Sequence, residues 1–99
     1  MMIEDIRLKV GEAHRLGRGF LFFGQRKLIY AGMVSPDTYS LAVRNRDGYH
    51  AYAYNLFIQK DTQEMEVEGY RLRIKCVSAQ EFWCESLGRP AKQEKDVWS

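Results

Sequence analysis

The chain has 99 residues, which sets a prior of one domain around one hydrophobic core. Hydrophobic residues make up 45% and charged residues 28%, an ordinary globular balance that excludes wholesale disorder. The net charge of +2 selects no partner, and no stretch approaches the roughly 20 apolar residues a membrane-crossing helix needs.

In chain order, the first predicted element is the strand "IRLKV", in which Ile6, Leu8 and Val10 alternate with Arg7 and Lys9. A helix over residues 4–16 is the rival, with Ile6, Val10 and Ala13 on one stripe. Gly11 interrupts that helix and the alternation before it is clean, so the strand is preferred. Glu4 and Asp5, without an apolar stretch after them, argue against a signal peptide. Cytoplasmic location is then the default expectation, with Cys76 and Cys84 reduced.

The runs "FLFF" and "KLIYAGMV" flank "GQR", which reads as a short hairpin loop. Both sides of "FLFF" are apolar, which suits a central strand or an edge that pairs with another chain. Next, "YSLAV" and "YHAYAYNLFI" flank "RNRDG". With Asp47-Gly48 as the turn, Tyr52 stands opposite Val43 and Tyr54 opposite Leu41. Those tyrosines share a face with Leu41, Val43, Leu56 and Ile58, and are expected in the core. The other face carries Ser40, Ala42, Ala51 and Ala53 and ends in Arg44, Arg46 and Tyr49. It reads as the solvated side of an antiparallel sheet, or as a flat face that a polymer could approach.

The third predicted hairpin joins "QEMEV" to "YRLRIKCV" through Glu68-Gly69. Val67 then faces Tyr70 and Met65 faces Leu72, while Glu66 faces Arg71 and Glu64 faces Arg73. A slip of one residue would bury all four charges, so the register is strongly specified. It also disposes of "RLRIK" as a nucleic-acid motif, because its arginines already have acidic partners. Alternation carries Cys76 onto the core face with Leu72 and Ile74. The last strand is "EFWCESL"; Trp83 is out of phase with Phe82 and Cys84, yet a core position is the expectation for it. Residues 89–99, "RPAKQEKDVWS", read as a polar flexible tail after a domain over residues 1–88.

About seven to eight short strands with frequent turn signals give the expected fold: all-β, a small antiparallel barrel or a two-sheet sandwich. Chemistry is harder to place. Two cysteines eight apart match no zinc pattern, and the only histidines, His14 and His50, lie in distant segments. "GRGFLFFGQRK" lacks the Gly-Lys-Ser/Thr end of a phosphate loop, and no Gly-x-Ser-x-Gly occurs. No catalytic residue, metal or cofactor is therefore assigned.

Charge is distributed unevenly. Residues 15–46 hold six basic side chains (Arg15, Arg18, Arg26, Lys27, Arg44, Arg46) against one acid, Asp37, whereas residues 61–68 hold four acids and no base. The favoured reading is a non-catalytic binding or adaptor module that acts through a protein partner or a second copy of itself. The alternative is a small β-barrel that binds nucleic acid through Arg15, Arg18, Arg26, Lys27, Arg44 and Arg46 with Tyr49. An enzyme whose site is spread over distant residues comes third. No membrane partner is expected.

Overall fold

The computed structural model describes residues 3–16, 25–47 and 50–88. Its elements are eight strands, with no helix among the described residues: β1 (Glu4–Lys9), β2 (Ala13–Arg15), β3 (Gln25–Ser35), β4 (Thr38–Asp47), β5 (His50–Gln59), β6 (Glu64–Val67), β7 (Tyr70–Val77) and β8 (Glu81–Ser86). They form two antiparallel sheets of four, ordered β1-β8-β7-β6 and β2-β3-β4-β5. The fold is all-β as expected from the sequence, and of the two architectures expected it is the sandwich. It is not a closed barrel, because β5 and β6 end their sheets without pairing to each other.

The sheets meet more closely on the β1–β2 side. Gly11, at φ 89°, turns the chain from one sheet into the other, a conformation a side chain would resist. Its amide donates to the Tyr30 carbonyl at 2.8 Å, and the Tyr30 amide returns a bond to the Glu12 carbonyl at 3.3 Å, so the corner is tied to β3.

Between the sheets lies one apolar core. Ile6, Leu8, Leu72, Phe82 and Cys84 come from the first sheet, and Leu28, Tyr30, Tyr39, Leu41 and Val43 from the second. Its centre is aromatic: Phe82 stacks on Tyr30 at 5.6 Å between centroids and lies 5.6 Å from Tyr39. Tyr30 is fully buried, and its hydroxyl is satisfied by donating to the Ser78 carbonyl.

The β6–β7 hairpin has the expected register, with Glu64 opposite Arg73, Met65 opposite Leu72, Glu66 opposite Arg71 and Val67 opposite Tyr70. Glu68 and Gly69 take positive φ values of 52° and 85°, as a tight hairpin turn requires. Arg73 lies 3.6 Å from Glu64 and 4.0 Å from Glu85, and Lys75 lies 3.9 Å from Glu85. The cations of "RLRIK" thus stand among acids.

Four expectations need correction. The β4–β5 pairing is offset by two residues, with Asp47 opposite His50, Asn45 opposite Tyr52 and Val43 opposite Tyr54. Gln25 and Arg26, expected in the loop "GQR", belong to β3. Cys76 is exposed, because a register shift between Ile74 and Cys76 inverts the alternation and turns Val77 inward instead. Trp83 is not in the core. It lies across from Arg7 on the outer side, with the guanidinium 4.0 Å over its ring and its indole N–H donating to Asp5 at 3.3 Å. The run "FLFF" and the tail over residues 89–99 lie outside the described residues.

Candidate functional site

Strand pairing decides where the six basic candidates go. Arg15 stands opposite Lys27, and Lys27 opposite Arg44. This places three cations in one cross-strand row on the outward face of the second sheet, and all three are exposed. Arg46 follows two residues after Arg44 in β4, at the register of Gln25 and Ala51. Arg18 and Tyr49 lie outside the described residues.

Arg26 leaves the group. It is out of phase with Lys27, and its Nε donates to Glu68 Oε1 at 3.1 Å across the mouth between the sheets. Tyr52 donates to the same oxygen at 3.0 Å, and Tyr54 donates to Glu68 Oε2. Asn45, almost fully buried, passes an amide hydrogen to the Tyr52 hydroxyl at 2.7 Å. The Glu68 turn is therefore clasped to the second sheet by three donors from two strands, β3 and β5.

The clasp explains the tyrosines. They sit on the core side of β5, as expected, but with relative exposures of 48% and 37% they are not core residues. Their rings stack on each other, 6.0 Å apart and 16° from parallel, with both hydroxyls on the Glu68 turn of the facing sheet. Partial burial pushes the Glu68 carboxyl up, and the bonds from Tyr54, Tyr52 and Arg26 more than offset it, so the group lies below its ordinary pKa. Burial and the neighbouring carboxylate push the Tyr54 phenol well above its ordinary value. No signal in the sequence marked Glu68 as anything but a turn residue. Its partners become visible only when the two sheets are stacked.

The remaining chemistry is sparse. His14 bonds to Glu4 at 3.1 Å. Cys84 is buried, and burial pushes its thiol up to about 12, away from nucleophilic reactivity. An open groove of about 530 Å³ is lined by Asp37, Gln59, Lys60 and Asp61, all on the exposed surface. Among the described residues no three His, Cys, Asp or Glu side chains gather as metal ligands, and no helix is long and apolar enough to cross a membrane.

The edges of the sheets differ sharply. β1 is strewn with charge (EDIRLK), β2 has three residues, and β6 has four with two acids. β5 has ten, HAYAYNLFIQ, with no Lys, Arg, Asp, Glu, Pro or Gly. Its register with β4 runs unbroken from Thr38–Gln59 to Asp47–His50, and Phe57 on it is 67% exposed. The chain matches no protein-family model, no curated protein and no solved structure.

Proposed function

We propose that this protein is an interaction module that works by strand addition along β5, and that the added strand is β5 of a second copy. The observation that carries this reading is the unguarded edge. A terminal strand presents a row of unpaired backbone donors and acceptors, and proteins that stay apart blunt such edges by shortness, charge, proline or bulges. β1, β2 and β6 have one or another of these devices, and β5 has none of them among its described residues.

A second copy fits because the strand carries no charge between Ala51 and Gln59 to repel itself. In antiparallel self-pairing centred on Asn55, Ala53 meets Phe57 of the other copy at two symmetric places, and Tyr54 meets Leu56. Large side chains thus face small or aliphatic ones. Such pairing is isologous and closes on a dimer rather than growing a fibre. The result is one eight-stranded sheet built from the two second sheets.

A cytoplasmic setting belongs to the same reading. Cys76 and Cys84 are free thiols, one exposed and the other buried, which suits a reducing compartment.

The test is a charge pair at the symmetry centre. Wild-type protein is expected to show a concentration-dependent dimer by analytical ultracentrifugation. Asn55→Asp and Asn55→Lys should each be monomeric, because like charges meet across the axis, and their mixture should recover the dimer. A wild-type chain that stays monomeric at every concentration refutes the proposal. So does a dimer indifferent to both substitutions.

A further inference from the structure

We infer that the outward face of the second sheet is a binding site for single-stranded nucleic acid, with the Arg15–Lys27–Arg44 row on the phosphates and Phe57 under a base. The inference uses the face of the sheet. The strand-addition proposal uses its edge, so either can fail alone.

The row comes first. Neighbouring strands lie about 4.8 Å apart, so Arg15, Lys27 and Arg44 span about 10 Å across β2, β3 and β4. Like charges directly opposite each other in a sheet are destabilising. On the first sheet the fold relieves this with acids: Arg73 and Lys75 reach Glu64 and Glu85. On the second sheet it does not. None of the three cations forms an ion pair with another described residue. Nor do the paired positions on that face carry an acid: Ala13, Ile29, Ala42 and Asn55 form the next row, and Ala53 lies beside Arg44. A row of cations with no acid paired to it among the described residues is complementary to a ligand with repeated negative charge.

The face is also shaped for a polymer. Ala13, Ala42 and Ala53 project little, so a backbone can lie close to the sheet. Phe57 stands out from it, exposed, in phase with Ala53 and Asn55 along β5. Four residues of strand put it about 13 Å from Ala53, the stride of about two nucleotides. An exposed ring next to a cationic track is the combination that holds unpaired bases, since each base offers a π-face whatever its sequence. A duplex hides those faces, and a sulfated polysaccharide has none. The ring therefore separates single strands from other polyanions.

The experiment is fluorescence anisotropy with a labelled thymidine oligonucleotide about 12 nucleotides long, a duplex of the same length and heparin as competitor. Saturable binding to the single strand is expected, weakening with salt at a log–log slope of about −2 for three phosphate contacts. Lys27→Ala should flatten that slope by about 0.7. Phe57→Ala should weaken the single strand about tenfold and leave duplex and heparin binding unchanged. Both residues are exposed, so circular dichroism of the variants should match wild type. Absence of saturable binding at low salt overturns the site. Equal affinity for all three polyanions, with no response to Phe57→Ala, overturns the assignment to single strands.

Discussion

At Glu68 a carboxylate in a tight turn receives Arg26, Tyr52 and Tyr54, with only 13% of its side chain exposed. Its pKa is lowered in the fold, which fixes the sign of its pH dependence. The contribution is complete above the ordinary Glu value of about 4.3 and is lost as pH falls through the lowered one. Hydrogen bonds to a charged group are worth about 1.5–3 kcal/mol, so Glu68→Gln should cost about 2 kcal/mol at neutral pH. In urea titrations the gap between variant and wild type should begin to narrow as pH falls below about 4.3 and should close once the lowered pKa is passed. A gap that persists there would assign the loss to geometry rather than charge. This residue was illegible in the sequence. "EVEGYR" shows a turn, and nothing in it says that strands β3 and β5 will lie against that turn.

The two hairpins show what strand patterns can and cannot specify. In β6–β7 the polar and apolar sides alternate strictly, and Glu68-Gly69 can adopt the positive φ values a two-residue turn needs. The register followed from those two constraints together. In β4–β5 alternation alone was available, and alternation fixes register only to within two residues. The slip of two kept every side chain on its expected face but carried Tyr52 from Val43 to Asn45, past the cover of the opposite sheet. Face was legible there; depth was not. Cys76 failed differently, since one extra residue in β7 reversed the pattern after Ile74. The basic candidates were legible as a list, but the Arg15–Lys27–Arg44 row was not, because it depends on which strands lie side by side, and Arg26 was expected in a loop. The β6–β7 register has its own check. Glu66→Lys, which sets like charges opposite Arg71, should lower stability by about 1 kcal/mol, and adding Arg71→Glu should restore most of it in thermal melts. No recovery in the double variant would contradict the pairing.

For the whole molecule, the two cysteines report whether the sandwich opens as a unit. Cys76 lies on the surface and Cys84 in the core among Ile6, Tyr39 and Phe82. A thiol reagent should label Cys76 at once in native protein and Cys84 only at the rate of global opening, so mass spectrometry should show one fast and one slow addition. Two fast additions would mean that the first sheet detaches on its own. The order of strands gives that question a further side. The second sheet is a meander, β2-β3-β4-β5, each strand beside the next in sequence. The first is not: β1 lies against β8, with Glu4 paired to Ser86, so the first of the eight strands waits for the last. Closing so long a loop costs entropy before any contact repays it. On a ribosome the meander can assemble while Ile6 and Leu8 still lack their neighbours, and the arrival of Phe82 and Cys84 completes the core. In time as well as in space, the sandwich is finished where its first strand meets its last.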